Sequence, residues 1–182
     1  MKYLLLIALL PFSTYSQTAR DPAVEGPKII AEAFAKLSGA LGEAIAKDGP
    51  AGALNLFSEK APQIAKQVAA AHGVTLRRAT YKPRNPNNAA DEVEKSAMET
   101  FMAALAEKEA PTPQVITNAD GGRTFIAPIV LGNPLCLQCH GTPGKDIAPE
   151  TLAAIQKLYP DDKATGFRLG DLRGLWRITF PV

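Results

Sequence analysis

Apolar residues set the first rhythm of the chain. Ile30, Phe34, Leu37, Leu41 and Ile45 follow one another at spacings of four, three, four and four, the repeat of one helix face. Asp21-Pro22 supplies an N-cap and a proline at the first helical position, and Gly49-Pro50 ends the run. A second helix is predicted over 51–71, with Leu54, Phe57, Ile64 and Val68 on its apolar side and Gly73 as its stop. Pro62 is expected to kink or restart it, with Ser58 as the new cap. Residues 74–81 read as a strand. KPRNPNN (82–88) is a turn segment, because proline and asparagine favour turn geometry. A third helix is predicted over 90–108, with Val93, Ala97, Phe101, Ala104 and Leu105 facing inward. Residues 115–118 and 123–130, joined by the Gly-Gly turn at 119–122, form a hairpin. A short helix over 149–159 follows. A last hairpin pairs 165–169 with 172–180, where Trp176, Ile178 and Phe180 alternate onto one face. Helices and strands in this order, with hairpin connections, predict an α+β fold around an antiparallel sheet.

The chain has 182 residues, enough for one domain with its own core. Lys and Arg number 20 against 18 Asp and Glu, and no basic stripe of the kind nucleic acid requires is present. The first residues differ from the rest. MKYLLLIALLPFSTYSQ has a positive start, an apolar run over 4–10 and small residues at Thr14 and Ser16, the make-up of a secretory signal peptide. Cleavage after Ser16 gives residues 1–16 as signal peptide and 17–182 as the mature, exported domain, expected to be periplasmic. The apolar run is too short to span a bilayer comfortably, and no later segment is long enough, so stable membrane insertion of the mature chain is not expected.

Both cysteines and one of the two histidines fall within LCLQCHG (135–141). Three chemistries use Cys-x-x-Cys. A zinc site needs four ligands and would have to recruit Cys136, Cys139, His140 and His72 together. A disulfide across two residues closes almost no loop, and a redox dithiol belongs at the strand-to-helix junction of a βαβ unit, which this sequence lacks. A c-type haem needs two thiols three apart, to form thioethers with the porphyrin vinyl groups, and an adjacent histidine for the iron. That last chemistry accounts for His140, for export and for the want of any other cysteine.

Three further blocks come in fixed order around the motif: YKPRNPNNAADEVE (81–94), APIVLGNPLCLQCHG (127–141) and LYPDDKATGFRLGDLRGLWRITFP (158–181). With them the chain, from about Asn55 to Val182, resembles a bacterial periplasmic haem-c-binding domain family of unknown function with a PAS-like fold. The resemblance implies one covalent haem c held by Cys136, Cys139 and His140, on an antiparallel sheet flanked by helices. In that family a cysteine in the second helix is thought to be the other axial ligand. Phe57 stands at the matching position here, and phenylalanine cannot ligate iron.

The sixth iron position is therefore open to several readings. His72 would give a bis-histidine carrier of low potential, and Met98 or Met102 a carrier of higher potential. An open position against Phe57 would suit a diatomic gas, and we take it as the expectation. Arg84 and Arg173 are candidate partners of the haem propionates, because guanidinium matches carboxylate geometry. The function expected is redox or diatomic-gas sensing, passed to a separate redox or signalling protein partner. The alternative is periplasmic electron transfer. A peroxidase or a Cys-x-x-Cys disulfide oxidoreductase is the reading from the enzyme class, and we expect a non-enzyme because no distal acid–base group is evident.

Overall fold

The computed structural model describes residues 20–182. The segment expected to be a signal peptide, 1–16, lies outside them. Among the described residues no helix is long and apolar enough to cross a membrane.

α1 (Pro22–His72) opens with Asp21, whose side chain accepts from the Ala23 N–H at 3.0 Å, and closes at Gly73 in the left-handed conformation. It is interrupted at Gly49, with φ 67° and ψ 176°. His72 Nε2 lies 2.7 Å from Glu32 Oε2, forty residues earlier. A straight helix would hold residues that far apart in sequence at about 60 Å. The arms 22–48 and 50–72 therefore form an antiparallel helical hairpin, as the Gly49-Pro50 break predicts. Pro62 does not restart the second arm, whose backbone stays helical through it. Ser58 Oγ donates to the Asn55 carbonyl at 2.7 Å inside the helix rather than capping a new one. Packing of Ala61 and Val68, both buried, outweighs the one backbone hydrogen bond that proline removes.

The buried stripe of α1 is only partly the expected one: Leu37 and Val68 are in it, and Ile30, Phe57 and Ile64 pack at its edge. It runs through Gly26, Ile29, Ala33, Leu37, Ala44, Ala53, Ala61 and Val68, while Phe34 is 62% exposed. Gly26 shows why: a Cβ there would stand 2.5 Å from Cγ of Phe125, so the helix touches the sheet through its backbone.

β1 (Thr75–Ala79), β2 (Gln114–Thr117), β3 (Arg123–Val130) and β4 (Leu172–Phe180) form one antiparallel sheet in the order β1-β4-β3-β2. The fold is α+β with helices on both faces of the sheet. Phe125, Ala127, Trp176, Ile178 and Phe180 pack against α1. Ala79, Ile126 and Leu175 pack against Ala97, Met98 and Phe101 of α2 (Glu92–Ala106). α2 starts in a capping box of Asp91 and Glu94. Val93, expected inside, is 47% exposed; its neighbour Glu94 is fully buried, 3.2 Å from Arg77 Nε and 3.5 Å from Arg177 Nη1.

The expected final hairpin is corrected. β4 is a strand, but residues 165–169 are not. Gly166 and Gly170 have φ of 78° and 88°, and the segment between them gives its N–H groups elsewhere. Gly166 donates to the Gly141 carbonyl at 2.8 Å and Phe167 to the His140 carbonyl at 2.9 Å. The segment docks on the cysteine motif instead of turning back on β4.

Candidate functional site

The motif leaves β3 through Asn133, whose side chain accepts from the Leu135 N–H at 2.9 Å and starts a tight turn over Pro134–Cys136. One turn of helix follows, α3 (Leu137–His140). Residues three apart on a helical turn share a face, which brings Cys136 and Cys139 to the same side, with His140 immediately after. Gly141 admits no side chain: a Cβ would lie 2.7 Å from the Leu137 carbonyl oxygen and 2.8 Å from Asp146 Oδ2. Asp146 holds the exit by accepting from the Thr142 N–H at 2.8 Å. α4 (Pro149–Leu158) packs between this turn and α1.

Both cysteines are free and half-buried. Cys136 and Leu137 pack against Leu131, Ala164 and Phe167, and the Phe167 ring meets His140 edge-on with centroids 6.3 Å apart. His140 Nδ1 is 2.9 Å from the Ala164 carbonyl. That carbonyl can only accept, so Nδ1 carries the proton and Nε2 keeps its lone pair. Burial, reinforced by the Arg173 and Arg84 guanidiniums, holds the imidazole well below its ordinary pKa of 6.5. His140 is thus a neutral ring with Nε2 unprotonated and able to bind a metal. Burial pushes the Cys139 thiol up, with Arg84 opposing.

Arg84 reaches the motif from the KPRNPNN turn. Its guanidinium pairs with Asp162 at 3.1 Å and donates to the Cys139 carbonyl at 2.6 Å. Arg173, at the start of β4, donates to Thr80 Oγ1 at 3.0 Å and lies 5.4 Å from the Phe167 ring centre. Its Nε is buried with no hydrogen-bond partner. Burial, together with the nearby Arg84 and Arg78, lowers its pKa to about 10. Arg78, which the sequence reading passed over, also loses basicity through burial and lies over the Trp176 ring at 5.7 Å. Three guanidiniums around His140 face one paired carboxylate, Asp162. A buried cationic cluster of this kind, with an orphaned donor, suits an anionic ligand. Gln138 Oε1, inside the motif, is the second orphaned buried atom.

Of the three candidate sixth ligands, His72 is far from His140, and the two methionines line a groove outside the motif. His72 lies at the other end of the sheet: its carbonyl accepts from Arg20, whose guanidinium covers the Phe180 ring. His140 lies at the Leu172 end of β4, eight residues or about 26 Å away along the strand. The same separation dismantles the four-ligand zinc set. Met98 is buried in the core between the sheet and α2, beside Phe101 and Ile126. Met102 shares with Met98 a groove lined by Tyr81, Pro83 and Lys163, to which the motif does not contribute. Phe57 packs on the α1 side, against the cluster that contains Trp176.

Among curated proteins none matches the chain. The crystal structure of the cyanobacterial heme-protein Tll0287 matches with a TM-score of 0.67 at 26% identity, over 89% of this chain and 97% of that one. The Tll0287-like family profile matches residues 14–181, and the chain belongs to that family.

Proposed function

We propose that the chain is an exported protein that holds one haem c covalently and works as a redox or diatomic-gas sensor. Cys136 and Cys139 are the thioether residues and His140 Nε2 is the axial ligand. The observation that carries this reading is the state of His140: neutral, with Nδ1–H fixed on the Ala164 carbonyl and Nε2 available, one residue from a free thiol. The Arg173 Nε without a partner, beside Arg78, suits the two carboxylates of a haem. The solved Tll0287 structure is that of a heme-protein, which supports the same cofactor here. Haem supplies an iron that changes oxidation state and takes a small ligand on its free side.

The sensing role rests on where the alternatives lie. An electron carrier is favoured by a strong sixth ligand; His72 pairs with Glu32, and the motif does not line the groove of Met98 and Met102, which supports the sensor reading. Phe57 and Trp176 offer an apolar wall on the α1 side instead. The reading puts the sensor in the periplasm, with a redox or signalling protein as its partner.

The test is an absorption spectrum of protein matured in a strain that attaches c-type haem, reduced, with and without CO. The expected result is haem that stays with the polypeptide through acidic acetone and a spectrum that converts on CO addition. Haem that CO leaves unchanged transfers the reading to electron transport. A colourless protein ends both.

A further inference from the structure

The Arg84 guanidinium joins three segments that are far apart in the chain. Nε and Nη2 grip both oxygens of Asp162, at 3.1 and 3.2 Å. Nη2 also donates to the Cys139 carbonyl at 2.6 Å and lies 3.4 Å from the Ala164 carbonyl. Asp162 Oδ1 accepts from the Ala164 N–H at 3.0 Å. The Ala164 carbonyl is the same oxygen that receives His140 Nδ1–H at 2.9 Å. The Arg84 and Asp162 side chains are only 10% and 6% exposed, so water does not stand in for either.

We infer that Arg84 is a positioning residue for the axial histidine, acting through the Ala164 carbonyl that the two side chains share. The inference rests on His140 being the iron ligand. A histidine N–H bonded strongly to its acceptor gives the opposite nitrogen more electron density, and a bound metal responds to it. A guanidinium drawing on the same oxygen weakens that bond and makes Nε2 a poorer donor. Asp162 sets the balance, because it holds the fork and anchors the Ala164 amide. Blocks of sequence around Arg84, Cys139 and Asp162 thus meet at one peptide group.

The test compares Arg84→Gln, Arg84→Lys and Asp162→Asn in haem-loaded protein, by reduction potential and by the iron–histidine stretch after photolysis of the CO form. Lysine keeps the charge but cannot make the planar fork to Asp162 and two carbonyls at once. Both Arg84 variants are expected to lower the potential and raise the stretching frequency. Asp162→Asn frees the fork towards Ala164 and is expected to shift both the other way. If Arg84→Lys matches wild type while Arg84→Gln shifts, charge alone acts and the inference falls. If haem content or melting temperature drops while potential and frequency stay fixed, Arg84 is only structural and the inference again falls. A wild-type protein without haem is a separate outcome: it removes the haem reading, and this inference with it.

Discussion

Glu94 provides a stringent test of how α2 is fastened to the sheet. It is a fully buried carboxylate, and it does two jobs. It accepts the Asp91 N–H at 3.0 Å to complete the capping box, and it faces Arg77 and Arg177, from β1 and β4, at 3.2 and 3.5 Å. Removing one partner of a buried ion pair costs about 3–5 kcal/mol. The lower end applies here, because the guanidiniums have other recourse. Arg77 is 42% exposed, and Arg177 keeps Asp91 at 2.7 Å. Glu94→Ala should therefore cost about 3 kcal/mol, which for a domain of this size lowers Tm by roughly 6–12 °C. Glu94→Gln keeps the shape and the cap and should cost about half as much, since a neutral acceptor bonds guanidinium less strongly. The assay is guanidinium chloride unfolding followed by far-ultraviolet circular dichroism, with the slope m unchanged between variants. A Glu94→Ala protein within about 0.5 kcal/mol of wild type would refute the argument, since that is the range of an ordinary surface substitution.

Gly141→Ala forces a methyl group onto Asp146 and the Leu137 carbonyl, so the turn after His140 must open. Haem content per chain, read from the Soret-to-protein absorbance ratio, is expected to fall. Gly26→Ala pushes α1 off the Phe125 ring and should cost about 1–3 kcal/mol in the same unfolding assay, with partial recovery on adding Phe125→Leu. Hydrogen bonds from His72 and then Lys36 hold Glu32 below its ordinary pKa of 4.5. Its contribution is therefore complete above that value and is lost as pH falls through the lowered one. Glu32→Gln should lower stability at neutral pH, flatten the acid limb below pH 4.5, and converge with wild type at the acid end.

Much of the fold was legible because its punctuation is local. Gly49-Pro50, Asp21-Pro22 and the Gly-Gly turn before Arg123 each act through their own backbone, and each does in the structure what the sequence implies. The helix faces were harder. A search for large apolar side chains selects Phe34 and Val93, which are exposed, and skips Gly26, Ala33, Ala44 and Ala53, which are buried. Close approach of two helical arms to each other and to a sheet favours small residues, and small residues carry little hydropathy signal. Residues 165–169 look like a strand because their true partners, the His140 and Gly141 carbonyls, lie some twenty-five positions away. At the site, the cysteines and His140 were readable from spacing. Arg84 was readable as a guanidinium near the motif, but its bonds to Asp162 and two backbone carbonyls exist only in three dimensions. Arg78 offered no signal, since a strand arginine is ordinarily solvated.

The position of β4 has a consequence for the order of assembly. Among the described residues it is the last element in chain order, yet it occupies the interior of the sheet, and it is the only strand that pairs with β1. In the proposed export, the domain would not close until residues 172–180 had emerged. Until then His140 lacks a settled partner and both thiols stand open, as the proposed haem attachment would require. A chain stopped at Gly170 is expected to have Cys136 and Cys139 alkylated as fast as small free thiols, whereas slow alkylation would show that the motif folds without its final strand. On the proposed reading, late closure makes the delay before folding the interval in which the prosthetic group would be installed.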